Sequence, residues 1–343
     1  LLYVSSTQFW VSKDRGKSWK RERTPHGDNH DIWINPNNPD IFIQANDGGA
    51  NVTLNRGKSW SSQSNQPTAE LYQVEVDDQI PYRLYAGQQD NSTISLPALP
   101  EAYVPGGGIG LWEAVGGCET GPAVPKPGNP NIVYSNCKGR FGVYNRETGQ
   151  EKQYYVGAGN MYGHNPKNLK FRFQRVSPIH VSPHNPDVVY HASQYLHKTT
   201  DDGVTWEIIS PDLTAFTPET QKISGSPITR DITGEEFYST IYSVRESKLK
   251  AGQIWIGAND GPVHVTEDGG KNWKNIIEVD KHTGVTDILF DPRNPDVIYA
   301  ATYQRQRHVW TLLNGGPGSG LHKSADGGKT WKKLSKGLPA GEI

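Results

Sequence analysis

The stretch Ser12-Lys13-Asp14-Arg15-Gly16-Lys17-Ser18-Trp19 decides the fold, because the chain writes it again and again. The pattern Ser/Thr-x-Asp-x-Gly-x-(Ser/Thr/Asn)-Trp returns at Thr199–Trp206, Thr266–Trp273 and Ser324–Trp331, and at Thr53–Trp60 with Asn55 in place of the aspartate. Such recurrence marks repeated structural units. A short β run precedes each box, as in FWVS, PVHVT and GLHKS. The Asp side chain can accept backbone N–H bonds across a turn, and the glycine supplies a positive φ. The closing Trp opens the return strand and can bury roughly 150–250 Å² between neighbouring sheets. Each of these roles belongs to a scaffold, not to chemistry.

A second repeat lies upstream of the boxes: a strand, an Asn/Ser/Asp-Pro-x-Asn-Pro-Asp turn, and another strand. It reads Ile34 to Ile43, Val181 to Tyr190 and Phe290 to Tyr299, with a weaker copy from Pro127 to Tyr134. Proline cannot donate to a ladder, so these segments sit at turns. The unit is then a four-stranded antiparallel meander, which cannot cover both of its faces alone and must stack radially against its neighbours. Units fall near 30–65, 176–210, 237–278 and 285–335, and two without a box fit at about 70–98 and 117–156. Leu1–Arg23 supplies the outer strands of one more. The expectation is an all-β chain, one domain over residues 1–343, folded as a seven-bladed β-propeller of four-stranded blades with Asp-box turns. About ten residues of one first strand are missing from this count, which reads as a piece of a longer, two-propeller polypeptide.

Composition narrows the function. The 35 Lys and Arg nearly cancel the 36 Asp and Glu, which excludes nucleic-acid binding through a basic excess and an acidic solvating tail. No apolar run reaches the ~18 residues of a membrane helix, and Leu1 opens directly into strand-like sequence, with no signal peptide expected.

The boxes and their surroundings resemble the Asp-box (BNR) repeat proteins, in particular the large bacterial secreted group labelled sortilin-like or glycosyl-hydrolase-like. The stretches carrying the resemblance are Arg23–Asp40, Asn46–Val74, Tyr85–Ser95, Ser224–Ser247 and Gly315–Pro339, so it spans nearly the whole chain. The segment order departs from the group's, in which the part resembling Thr283–Pro339 comes before the part resembling Leu1–Ile277. Either the sequence is rotated relative to its relatives or it joins pieces of a longer one. The resemblance implies an extracellular propeller and hands over no catalytic mechanism.

In a propeller the loops at one face of the central channel form the usual binding surface. Residues just before first strands and at the ends of second strands are therefore the candidates. Ligand-binding positions are expected at His30, Asp47, Gln89, Asp90, Trp112, Arg175, Tyr238 and Asp260. A glycosidase needs two carboxylates at a defined separation, and Asp31, Glu119 and Glu236 are the candidates. A sialidase would add an arginine cluster, a Tyr nucleophile and an Arg-Ile-Pro opening, and that opening is absent. Trp33 and Trp255 read as core, whereas Trp10, Trp112 and Trp310 lie in loop-like sequence where an indole could stack on a sugar.

No metal site and no cofactor are expected. His26 and His30 stand in loop sequence, His180, His184 and His191 face different sides of two strands, and the glycine runs lack a nucleotide loop's strand-before, helix-after context. Cys118 and Cys137 could be bonded or free; a bond would fit an oxidising compartment. Two readings of function stand. One is a secreted, periplasmic or cell-surface module that binds a glycan or extracellular protein, with a second propeller or larger assembly as a further partner. The other is a xyloglucanase-like glycoside hydrolase.

Overall fold

The computed structural model describes residues 1–63, 66, 68–99, 108–157, 159, 161–223, 237–308 and 311–338. They form an all-β structure with three short 3-10 turns and seven antiparallel sheets. Two compact units are present, Leu1–Ala69 and Glu70–Ile343.

The first unit holds two sheets. Sheet I is β1 (Leu2–Ser5), β2 (Phe9–Ser12) and β3 (Lys20–Glu22); sheet II is β4 (Asn29–Ile34), β5 (Phe42–Asn46) and β6 (Gly49–Thr53). Phe9 and Val11 of sheet I bury against Phe42 of sheet II, with Ile32 and Trp60 packed on them.

The second unit holds five. Sheet III is β7 (Leu71–Val76), β8 (Arg83–Gln88) and β9 (Ser92–Pro97). Sheet IV is β10 (Ala123–Lys126), β11 (Asn129–Cys137), β12 (Arg140–Asn145) and β13 (Gln150–Tyr155). Sheet V is β14 (Ile179–Val181), β15 (Val189–Ala192), β16 (Leu196–Thr199) and β17 (Glu207–Ile208). Sheet VI is β18 (Ile241–Glu246), β19 (Ile254–Ala258), β20 (Val263–Thr266) and β21 (Lys274–Ile277). Sheet VII is β22 (Thr283–Asp291), β23 (Asn294–His308), β25 (Gly320–Ser324) and β26 (Lys332–Lys333), with β24 (Thr311–Asn314) paired to the far end of β23.

Consecutive sheets of this unit pack face to face, and their apolar faces make the core. Val124, Tyr134 and Phe141 of sheet IV meet Ile179, Val181 and Val189 of sheet V. Leu196 and Tyr190 of sheet V meet Ile241, Val244 and Ile254 of sheet VI. Trp255 and Val263 of sheet VI meet Val285, Ile288 and Ile298 of sheet VII. The alternation of strands accounts for this, since every second side chain leaves one face. Box tryptophans Trp206, Trp273 and Trp331 enter these same three clusters; Trp206 stands edge-on to Phe141, ring centroids 5.0 Å apart.

The boxes behave as their spacing predicts. At Thr266–Trp273, Asp268 accepts the Asn272 backbone N–H at 2.9 Å, the Asn272 amide at 2.7 Å and the Thr266 hydroxyl at 2.7 Å, while Gly270 N–H donates to Thr266 Oγ1 at 3.0 Å. Gly270 has φ +101°, and a Cβ there would lie 2.6 Å from the Ile209 carbonyl oxygen. In the Asn55 box the polarity of one bond reverses: the Asn55 amide donates to Ser59 Oγ at 2.7 Å, where an aspartate accepts.

Several expectations are corrected. Sheets II and III have three strands, and sheet VII has five. Trp33 is no core residue: it is 57% exposed on sheet II, because it takes the strand face opposite Ile32. Trp10 lies within β2 and is half-buried, not in a loop. The sequence RQRH is the end of β23, paired with β24 as Arg305↔Asn314 and Gln306↔Leu313. Trp310 and Glu236 lie outside the described residues.

Candidate functional site

Four sheets of the second unit turn their first strands, or the segment just before them, toward one cavity of about 590 Å³. Sheet III brings Glu70, Tyr72 and Gln73, with Gln89 from the turn after β8. The approach to sheet V brings Gln174, Arg175 and Val176; sheet VI brings Tyr238, Tyr242 and Asn259. Sheet VII adds Thr286, Tyr303 and Arg305, and β24 adds Leu312 and Asn314.

Bulges aim these side chains. The register of the first strand slips between Tyr72 and Glu75, between Ile241 and Ser243, and between Val285 and Asp287. The residues inside those slips include Gln73, Tyr242 and Thr286, all on the cavity wall. An extra residue in one strand re-aims its side chain and sharpens the local twist. Gln73 also has φ +48°, a costly conformation for a residue with a Cβ. Sheet II has the same slip between Asn29 and Asp31, around His30. Farther along the first strands, Arg245 of β18 pairs with Glu75 of β7 at 3.4 Å and Asp287 of β22 at 3.6 Å.

Tyr72 is the hub of the wall. Its hydroxyl lies 2.7 Å from Glu70 Oε1 and 2.7 Å from Gln89 Oε1, so it can donate to one while the Gln89 amide turns to serve the other. The Arg175 guanidinium lies over its ring, 5.7 Å from the centroid, a cation–π distance. Burial, then the bond to Glu70, pushes the Tyr72 hydroxyl up to about 12, so it keeps its proton.

A second cluster adjoins Gln89. Glu119 Oε2 accepts the Asp90 N–H at 2.8 Å, and Lys138 Nζ stands 4.0 Å from Oε1. Burial pushes the Glu119 carboxyl up, but Asp90 and the cations Lys138 and Arg175 outweigh it, and the group sits below its ordinary range. Lys138 also donates to the Tyr162 hydroxyl at 3.0 Å. The Cys118–Cys137 disulfide is formed, and its two cysteines immediately precede Glu119 and Lys138. It therefore ties together the two turns that carry the ion pair. Asp90, Thr120 and Lys138 all have positive φ, between 54° and 62°, so the cluster is held by backbone that the surroundings must enforce.

The remaining predicted residues lie elsewhere. Asp260 is 2% exposed and accepts the Phe216 N–H at 3.1 Å; burial raises its pKa. With Arg172, which pairs Asp212 at 2.6 Å, it fastens the Asp212–Phe216 loop. Trp112 is exposed in the β9–β10 connection, beside Glu113, whose carboxylate takes Arg83 and Arg146. In the first unit, Asp31 accepts the Ile32 N–H at 2.7 Å. His30 Nε2 and Asp47 Oδ1 are 2.7 Å apart, and that bond raises the His30 pKa. Asp28 joins them, with ligand atoms of the three within 4.8 Å of one another; all three are exposed. Among the described residues this is the group with metal-ligand chemistry.

The structure thus gathers Gln89, Arg175 and Tyr238 on one wall and places Asp90 and Glu119 together beside it. It also adds Gln73, Tyr242, Tyr303, Arg305 and Asn314. The alternation of Tyr303 and Arg305 in ATYQRQRH puts both on one strand face, which is the signal that could have found them. The bulged Gln73, Tyr242 and Thr286 break that alternation and carry no such mark.

No family model matches the chain. The oligoxyloglucan-reducing end-specific xyloglucanase of Emericella nidulans is 23% identical over 168 residues, 46% of this chain and 17% of that protein. The chain thus spans under a fifth of the curated relative it matches. Among solved structures, YCF48 from Cyanidioschyzon merolae superposes with a TM-score of 0.42 and 12% identity, over 89% of this chain and 84% of that one. The GH74 xyloglucanase from Xanthomonas campestris gives 0.39 and 13%, over 97% and 57%. No helix among the described residues is long and apolar enough to cross a membrane.

Proposed function

We propose that this chain is a β-propeller binding module, its seven sheets serving as blades, that takes a glycan or an extracellular protein at the cavity lined by Tyr72, Arg175 and Tyr238. The observation that carries the reading is the make-up of the wall. Among the described residues it holds four tyrosines, two arginines and a single carboxylate, Glu70, which is already bonded to Tyr72. Such a wall can stack, hydrogen-bond and neutralise charge. Two-carboxylate hydrolysis needs a partner for Glu70. A secreted, periplasmic or surface setting agrees with the disulfide, since such bonds persist in oxidising compartments.

The xyloglucanase relative supports a second reading, a glycoside hydrolase. Its candidate carboxylates are Asp31 in the first unit and Glu119 and Glu236 in the second, each tested by itself. The test is incubation with a polysaccharide panel, followed by pull-down and a reducing-end assay. Retention without new reducing ends is expected. Release of reducing ends that disappears in Glu119→Gln or Asp31→Asn would overturn the binding reading in favour of the hydrolase.

A further inference from the structure

We infer that Asp28, His30 and Asp47 form a site for a divalent transition-metal ion such as zinc. The inference stands apart from the reading of the cavity. His30 Nε2 and Asp47 Oδ1 are 2.7 Å apart, and one donor atom from each of the three side chains lies within 4.8 Å of the other two. Ligand bonds of about 2.0–2.2 Å set donor atoms roughly 3–4 Å apart around one ion. Small rotations of three exposed side chains supply that closure. An imidazole nitrogen with carboxylate oxygens is a donor set for zinc and its neighbours in the first transition row, and two carboxylates neutralise the ion's charge. Three protein ligands leave a further position for water or an incoming group.

A second observation comes from the repeat. In three sheets the residue after the second strand donates its backbone N–H to the carbonyl of the residue before the first. Asp47 donates to Asp28 at 3.2 Å, Gln89 to Glu70 at 3.0 Å and Asn259 to Thr240 at 2.9 Å. Two positions beyond that carbonyl stand His30, Tyr72 and Tyr242, each at the register slip of its first strand. Asp28, His30 and Asp47 are therefore the sheet II counterparts of Glu70, Tyr72 and Gln89, and of Thr240, Tyr242 and Asn259. In sheets III and VI these positions serve a cavity, which Glu70, Tyr72, Gln89, Tyr242 and Asn259 all line. The fold presents the three positions together, and of these three sheets it is sheet II that fills every one with a metal-ligating side chain. Sequence spacing hides the set, because Asp47 is seventeen residues from His30. The nearer histidine, His26, instead sets its Nδ1 3.1 Å from the Gly27 carbonyl.

The experiment is calorimetric titration of the chelator-treated full chain, free of any polyhistidine tag, with zinc chloride and separately with calcium chloride. Saturable zinc binding is expected, weakened about tenfold or more in each of Asp28→Asn, His30→Ala and Asp47→Asn. His26→Ala should leave the zinc affinity unchanged. Calcium takes oxygen ligands and should bind more weakly than zinc. Thermal unfolding of the metal-free variants should match the parent, since all three side chains are exposed, which separates a lost ligand from a lost fold. Zinc should also shift the His30 ring signals in an NMR spectrum. Absence of saturable zinc binding, binding that survives all three substitutions, or calcium held as tightly as zinc overturns the inference. An affinity lost in His26→Ala and kept in His30→Ala overturns it too.

Discussion

At the box turns the third-position aspartate bonds within four residues of itself: Asp14, Asp268 and Asp326 each hold a Ser, Thr or Asn two or four positions away. At the cavity rim the acidic and basic groups bond across the fold. Glu119 takes the amide of Asp90, twenty-nine residues distant, and Arg175 lies over Tyr72 from another sheet. The box carboxylates are held down to about 2 by those local bonds, and they do their work wherever the turn forms. The rim groups acquire their setting only when the sheets pack.

Acid separates the boxes from the interior of sheet V most sharply. The buried histidines of sheet V are held neutral by burial: His180 and His197 fall to about 3 and His191 to about 4. Their folded values lie below the unfolded one near 6.5, so their contribution is complete above pH 6.5 and is lost as pH falls toward 4. For His191 alone the loss at pH 4 is on the order of 3 kcal/mol. The boxes remain ionised there, because their contribution fades only as pH drops from about 4 toward 2. Thermal unfolding followed from pH 7 to pH 3 should decline mostly above pH 4; a fall confined below pH 4 would move the acid weakness to the boxes.

Adjacent glycines of one box give the next effect. Gly270→Ala places a Cβ against the Ile209 carbonyl in a left-handed conformation and should cost about 3 kcal/mol or more. Gly269→Ala, with φ +74° and nothing within 4 Å, should cost about 1–2 kcal/mol. Chemical denaturation checks both, and equal losses would contradict the packing role given to the box.

How much of this was readable beforehand follows the same division. The boxes, the proline turns and the core role of Trp255 are local or periodic, and short stretches of sequence report them directly. The positions of Gln89, Arg175 and Tyr238 followed from repeat logic, since each stands beside a strand end. Trp33 misled because strand residence does not say which face is covered. Asp260 looked like its rim neighbours in sequence, yet it bonds a loop forty-four residues away, which no spacing reveals. Tyr242 and Thr286 reach the cavity through bulges, and a bulge is decided by pairing with another strand.

The smallest change is Asn55→Asp, which restores an acceptor opposite Ser59. A slight gain in stability at neutral pH is expected, lost as pH falls below about 4; a loss at neutral pH would show that the Asn55 amide bond to Ser59 is required.

The account's central claim, that boxes hold the fold while the cavity wall holds the ligand, is tested most directly by titrating the glycan that the parent protein retains from the polysaccharide panel into two variants side by side. Asp268→Ala should melt earlier and keep its affinity; Arg175→Gln should melt with the parent and lose affinity about tenfold or more. The opposite outcome, affinity lost at Asp268 and kept at Arg175, would contradict it.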